Sequence, residues 1–454
     1  MSKAIQDNNL LYNILCPLVQ FGTRCHYNHF VVRGAENLPT DGAYIIAPCH
    51  QQALMEPLAV LYFAPKPPVF LARADIFAKP TLRAILTFLR ILPVYRIRDG
   101  QQNLGKNQII FDQSRDVLLD GYPLCLMAEG RHNNRHHLLP FGKGMFRIAG
   151  ETQLKLGDHP LYIVPTGIDF DDYERPYSNV VVNIGKPIPV QPFMETYRTD
   201  EPVALNQMRE TLTEALLPQM HDIRDEEHYD EIMALCNLLN RPMRRREGLR
   251  NTAWNRFRMR QQIARKVETG EWPVEKFLPL FQDSHLSHLT RFAEHWNLFA
   301  TLLSVLAIAG VLVAAVVVPA VRWVLLFCLV CYPLPFIPTH LIVKRKVADP
   351  QFRSSFNFGV RLVLSILYAF VIGIVMALCG GAWMSQLADI GAWWGLVAVA
   401  WVHIGARLAA PTVNFLRDTL ANCRYWLLRL CGKLRKADES YRALTSLCDQ
   451  VSKD

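Results

Sequence analysis

Two short blocks hold the residues of this chain best placed to do chemistry. In the first, the apolar run Tyr44-Ile45-Ile46-Ala47 is followed by Pro48-Cys49-His50, with Glu56 six residues after the histidine. A histidine oriented by a carboxylate can take the proton of a hydroxyl group. In the second block, Leu126-Met127-Ala128-Glu129-Gly130-Arg131-His132, a carboxylate is followed by an arginine. Arginine presents a planar fork of donors that suits a phosphate. A satisfied histidine beside a surface glutamate is the plainer reading of His50 and Glu56. Six steps of about 100° on one helix would also hold the two apart, so the pair requires a turn between His50 and the helix proper.

The elements around these blocks alternate. Phe30–Gly34, Ala43–Ala47, Val69–Ala72, Ile91–Tyr95, Pro123–Met127, Tyr162–Gly167 and Val180–Ile184 read as strands. Gln51–Phe63, Lys79–Leu89, Gln102–Asp120 and Lys143–Lys155 read as helices. Strands alternating with helices predict an α/β domain, and His50 then falls at the carboxyl end of a strand, where such domains form sites. Pro187, Pro189 and Pro192 suggest an end to this domain, and the charged, helical stretch Glu201–Glu294 follows.

These residues resemble the ordered motifs of the glycerolipid acyltransferase family, which includes glycerol-3-phosphate and 1-acylglycerol-3-phosphate acyltransferases. The family's first motif is a histidine, four intervening residues and an aspartate. Cys49-His50-Gln51-Gln52-Ala53-Leu54-Met55-Glu56-Pro57 is similar to a branch with five intervening residues, with glutamate in place of aspartate. The extra methylene can displace the carboxylate by about an ångström, and such shifts can cost ~100-fold in rate. Ile91-Leu92-Pro93-Val94-Tyr95-Arg96 resembles the second motif, and Arg73 a basic residue just upstream of it. Of the third motif, Phe-Pro-Glu-Gly, only Glu129 and Gly130 carry over; Leu138–Gly144 resembles the segment that closes it. Ile163-Val164-Pro165-Thr166-Gly167 resembles the fourth, an apolar strand with proline.

The resemblance implies a mixed sheet flanked by helices over residues 30–195. His50 and Glu56 would be catalytic, and Arg73, Arg96, Glu129, Gly130, Arg131 and Pro165 would bind substrate. It implies an acyl thioester donor (acyl-CoA or acyl-carrier protein), a phosphorylated glycerol acceptor, and no further cofactor. No metal is expected: the histidines of the polar segment His132–His137 read as an exposed loop, and Cys328-x-x-Cys331 as packing within an apolar run.

The chain has 454 residues, 51% of them hydrophobic, and a formal net charge of +9. Its second half is far more apolar than its first. Leu298–Val318, Trp323–Val343, Leu362–Trp383 and Gly391–Ala406 are expected membrane spans, since ~20 residues cross ~30 Å of hydrocarbon. Lys and Arg concentrate in the link between the second and third and in the tail from Arg407 to Lys436, which puts both on the cytoplasmic side with the N-terminal domain. Met1–Phe21 does not read as a signal peptide. His403 and Asp389 are near span ends, where an interfacial position is a plainer reading than a proton relay.

The expected domains are a helical lead-in (1–29), the catalytic domain (30–195), a basic helical linker (196–296), a transmembrane bundle (297–410) and a basic tail (411–454). Arg241–Lys266 carries nine arginines, which suit anionic headgroups of a bilayer better than nucleic acid, or simply make a solvated helix face. Two other functions stay open: an inert lipid-binding or lipid-moving membrane protein, and an acyltransferase for another lipid hydroxyl or amine.

Overall fold

The computed structural model describes residues 4–95, 105–127, 129–130, 135–173, 178–282, 298–319, 342–343, 345–347, 352–364, 367 and 415–451. The chain divides into two compact units: Met1–Arg224 with Asn251–Gln261, and Asp225–Arg250 with Gln262–Asp454.

The first unit is built on a mixed sheet of eight strands: β1 (His29–Arg33), β2 (Ala43–Pro48), β3 (Val69–Arg73), β4 (Ile91–Val94), β5 (Leu124–Leu126), β6 (Leu161–Phe170), β7 (Asn179–Ile184) and β8 (Ile188–Pro189). Their order is β1-β7-β6-β2-β5-β3-β4, with β8 pairing β6. β2 lies between β5 and β6 and is parallel to both; β3 is parallel to β5 and β4. β6 turns antiparallel to β7, which in turn pairs with β1 in parallel. The strands read as unbroken apolar runs because both faces are covered: Ile45, Ile46, Val69, Leu124, Cys125, Leu161 and Val164 are fully buried.

Parallel connections in the middle of the sheet have a direct consequence. The carboxyl ends of β2, β5, β3 and β4 all point to one edge, so the segments that follow them meet there. His50 follows β2, Glu129 follows β5, and Arg73 ends β3. Arg96 and Arg131 lie outside the described residues.

Pro165 sits in the interior of β6, opposite Ala47 of β2. A central strand does not ordinarily accept proline, which has no N–H to give. Here Pro165 falls between the β8 partners Tyr162 and Ile163 and the first β7 partner, Thr166, where β6 changes neighbours. Its carbonyl accepts from the Gly185 N–H at 2.8 Å. Gly167 follows for a steric reason: a Cβ there would stand 2.0 Å from the Gln219 carbonyl oxygen.

Helices flank the sheet: α1 (Leu10–His26), α2 (Met55–Phe63), α3 (Pro80–Phe88), and further helices at Lys106–Leu119, Gly144–Leu156 and Glu201–Leu216. The expected end near residue 195 falls short of the unit's extent. The Glu201–Leu216 helix buries Ala204, Leu205, Met208, Leu212 and Leu216. The helix Ala253–Glu268 adds Ala253 and Phe257, which pack on Val181 of β7.

The second unit contains the helix Tyr229–Arg246, which buries Ile232, Leu235, Cys236 and Leu239. Trp272 and Phe277 are fully buried in it, ring centroids 6.2 Å apart. The helix Arg435–Val451 brings Asp449 to Arg246 at 2.9 Å.

Among the described residues one helix, Leu298–Val317, is long and apolar enough to cross a membrane. Its 20 residues span ~30 Å at ~1.5 Å each. It leaves Leu303, Leu306, Leu312, Val313, Val316 and Val317 exposed. The other three expected spans, with Cys328, Cys331, Asp389 and His403, lie almost wholly outside the described residues.

Candidate active site

The site begins where β2 ends. Pro48 is the last residue paired with β6, and the Cys49 N–H still reaches the Thr166 carbonyl at 3.1 Å. The Cys49 side chain then closes the gap: Sγ donates to the Ile168 carbonyl at 3.4 Å and accepts from the Ile168 N–H at 3.2 Å. Burial pushes this thiol's pKa up, so Cys49 is a fastening and not a nucleophile.

The expected helix from Gln51 starts later, at Met55. Residues 49–54 form the turn that the His50–Glu56 pair requires. Ala53 has a φ of 50°, a conformation that costs a non-glycine residue about 1 kcal/mol or more. The turn is held open in this shape by the carboxylate it serves. Glu56 lies in the first turn of α2 and is fully buried. Its Oε1 accepts from the N–H of Gln51 at 2.8 Å and from the N–H of Gln52. Its Oε2 faces His50 Nδ1 at 3.5 Å. One oxygen shapes the turn and the other addresses the imidazole. The amino end of α2 favours the negative charge at this place. The His50 side chain keeps 16% of its surface exposed, so the ring borders solvent while the carboxylate behind it does not.

Glu129 comes from the neighbouring strand. It accepts from the His50 N–H through Oε1 at 2.7 Å and from the Leu139 N–H through Oε2 at 3.0 Å. Both its oxygens are thus engaged by the chain's own backbone, tying the segment after β2 to Leu139. This is a different position from the substrate contact that the resemblance implies for Glu129. Burial raises the Glu129 pKa to about 8, against the pull of those two N–H groups, and the nearby Glu56 charge adds to the rise. Gly130 has a φ of +64° and its N–H returns to the Met127 carbonyl at 3.1 Å. A side chain at that φ would be strained, which accounts for a glycine directly after Glu129.

Arg73 stands at the end of β3 with its guanidinium on Asp75, Nε to Oδ1 at 3.1 Å. Both side chains are more than a third exposed, so this pair contributes little and can be exchanged for a phosphate. Pro165 lies in the sheet at the level of Ala47, where it shapes β6.

The histidine segment departs from the expected exposed loop. His136 is buried, and its Nδ1 lies 3.4 Å from Asp169 Oδ1. His137 Nδ1 lies 3.4 Å from Asp222. His136, Asp169 and His221 bring their possible ligand atoms within 4.8 Å of one another. A cation already stands beside that group: the Arg260 guanidinium, whose Nη2 donates to Asp169 Oδ2 at 2.5 Å and whose Nη1 lies 2.8 Å from Asp171. Burial lowers the pKa values of His136, to about 3, and of His221, so both rings are neutral. The basic run Arg241–Lys266 is accordingly not a single anion-binding face. Arg256 and Arg260 pair with buried aspartates, and the buried Arg244 donates to Asn240 at 2.7 Å.

Asp169, Tyr173 and Arg260 were not expected from the sequence, because each lies far along the chain from His50 and belongs to no short motif. The one local hint is the pair of acids Asp169 and Asp171 at the apolar end of β6.

No curated protein matches the chain. Among solved structures, it is similar to the 1-acyl-sn-glycerophosphate (LPA) acyltransferase PlsC from Thermotoga maritima. Identity is 19%, over 46% of this chain and 83% of that one, with a TM-score of 0.32. Residues 29–169 match the family model described as Acyltransferase, a span that runs from β1 to Asp169 and contains His50, Glu56 and Glu129.

Proposed function

We propose that this protein is a membrane-bound O-acyltransferase of glycerolipid synthesis, taking a fatty acyl group from a thioester to a hydroxyl of glycerol-3-phosphate or 1-acylglycerol-3-phosphate. The observation that carries the reading is the turn that sets His50 Nδ1 3.5 Å from the buried Glu56 carboxylate. With Nδ1 toward Glu56, Nε2 is the nitrogen that receives the proton of the acceptor hydroxyl. The hydroxyl oxygen attacks the thioester carbonyl carbon, the tetrahedral adduct collapses, and the C–S bond breaks. The proton passes from the imidazolium to the departing sulfur, which leaves as a free thiol of coenzyme A or of an acyl-carrier protein. Glu56 stabilises the imidazolium in between. A separation of 3.5 Å is long for a hydrogen bond, and such contacts tighten when substrate arrives.

Arg73, with Arg96 and Arg131, would bind the acceptor phosphate. The apolar Leu298–Val317 helix supports residence in a bilayer, where both acyl donor and lipid acceptor partition. A catalytic unit on the cytoplasmic side would follow from the Lys- and Arg-rich links of the second half.

The test is acyl transfer from labelled acyl-CoA, and from acyl-carrier protein, in membranes containing this protein. Each acceptor is offered separately, beside the His50→Ala variant. Product with one acceptor, lost in the variant, establishes the reaction. Equal signals from wild type and variant with both acceptors and donors would overturn it in favour of an inert domain.

A further inference from the structure

The turn that carries His50 is gripped from behind by a residue beyond the family match. The Tyr173 hydroxyl donates to Gln51 Oε1 at 2.8 Å, and the Tyr173 carbonyl accepts from Gln52 Nε2 at 2.5 Å. Gln51 and Gln52 are the two residues whose N–H groups bind Glu56, so one residue holds both side chains while Glu56 holds both backbones.

Tyr173 is itself anchored. Its hydroxyl lies 3.2 Å from His136 Nδ1, and its ring stacks on the His136 ring at 5.1 Å. A neutral His136 protonated on Nδ1 presents that one proton to the Tyr173 oxygen and to Asp169 Oδ1 together, which leaves the Tyr173 proton for Gln51. His136 Nδ1 is 3.4 Å from Asp169, and Asp169 is bound to Arg260. Arg260 and Arg256 project from the helix Ala253–Glu268 and share Asp171. A chain of polar contacts therefore runs from that helix through Asp169, His136 and Tyr173 to the turn between His50 and Glu56.

We propose that Tyr173 is a positioning residue for His50 and Glu56, held in place by the helix Ala253–Glu268 through Arg260, Asp169 and His136; the proposal rests on the acyltransferase reading above. The linker helix then completes the active unit instead of merely following it. Removing Arg260 would leave Asp169 buried and unpaired and endanger folding, so the sharper variants are Tyr173→Phe and Gln51→Met, which delete one hydrogen bond at little change of volume.

The experiment measures kcat and KM for wild type, both single variants and the double variant, with thermal midpoints alongside. Independently of activity, it follows the rate at which diethyl pyrocarbonate modifies His50, read by peptide mass. Expected are a roughly 10-fold fall in kcat for each single variant with KM nearly unchanged, no further fall in the double variant, and a severalfold change in the His50 modification rate. Wild-type kcat in Tyr173→Phe, or losses that multiply in the double variant, would overturn the proposal. If the wild type transfers no acyl group, the functional reading fails by itself. An unchanged His50 modification rate in Tyr173→Phe would then overturn the positioning role too, and a changed one would sustain it.

Discussion

Changing Glu56 to glutamine separates what the carboxylate does for the fold from what it does for chemistry. In the structure Oε1 accepts from the N–H groups of Gln51 and Gln52, and Oε2 faces His50 Nδ1 at 3.5 Å. A carboxamide oxygen can keep both backbone bonds, which places the NH2 group opposite the imidazole. That group is a donor, so it favours the tautomer with Nδ1 unprotonated and the proton on Nε2. Nε2 is the nitrogen required to be the base. The amide also no longer stabilises the imidazolium. In a serine-protease triad the equivalent change costs ~10⁴ in kcat, about 5.5 kcal/mol of barrier. The longer 3.5 Å contact here argues for the lower side of that range, so a fall in kcat of roughly 10³ to 10⁴ is expected, with KM within about threefold. The thermal midpoint should move by only a few degrees, since the turn keeps its two bonds. Glu56→Asp should behave differently: one methylene shorter, it cannot both hold the turn and reach His50, so stability and activity should fall together. The assay is acyl transfer on purified protein in detergent, with thermal unfolding in parallel. A Glu56→Gln enzyme within tenfold of wild type would refute the assigned role. So would a large loss of stability in that variant, which would mean that the turn depends on the charge and not on the acceptor oxygen.

Glu129→Gln should flatten the dependence of stability on pH. The pKa of Glu129 is raised to about 8 in the folded state from an ordinary 4.5, so between those values the folded protein holds a proton that the unfolded chain has released. This group therefore lowers wild-type stability as pH rises through that window, by at most about 1.4 kcal/mol per pH unit. Thermal midpoints from pH 5 to 8 should fall more steeply in wild type than in the variant, and parallel curves would exclude the assignment. Below pH 5 the variant should be the less stable, because an amide cannot accept from both the His50 and Leu139 N–H groups. Gly167→Ala should destabilise by about 3 kcal/mol or more, as its Cβ would stand 2.0 Å from the Gln219 carbonyl oxygen; a denaturant midpoint equal to wild type would show that the Gln219 turn yields freely. Arg73→Ala should raise KM for the phosphorylated acceptor roughly 10-fold with kcat little changed, the loss of about one charge-assisted hydrogen bond. Unchanged KM would leave the phosphate to other residues.

The parts of this protein that can be read from its sequence are those whose signal is local. The strands β2, β3, β5 and β7 stand where apolar runs bounded by turn residues predict them, because burial on both faces leaves no choice of residue. The six-residue step from His50 to Glu56 is equally local, and it correctly demands a turn before the helix. What it cannot supply is the shape of that turn, which depends on Ala53 adopting a φ of 50° and on the hydroxyl and backbone carbonyl of Tyr173. Helix starts shift for the same reason: Gln51 and Gln52 are good helix formers, yet their N–H groups are taken by a carboxylate in place of a continuing helix.

Charge is the feature that local reading handles worst. An arginine in a helical, polar stretch has the same pattern whether it faces water or a buried aspartate. Arg260 and Asp169 lie 91 positions apart, and nothing near either one announces the other. The basic run of the linker therefore reads as a surface for anionic lipid, while Arg256 and Arg260 reach inward to Asp171 and Asp169. The same pairing reverses the reading of His136, which looks like a loop histidine and is a buried neutral ring. Burying an ion pair contributes little net stability compared with apolar packing, but removing one partner is costly. Such a pair makes the fold intolerant of losing the helix that supplies the arginine. The residues behind the turn between His50 and Glu56 thus depend on a segment some two hundred residues downstream of His50, and a boundary drawn at the end of the family match would cut that turn from its support.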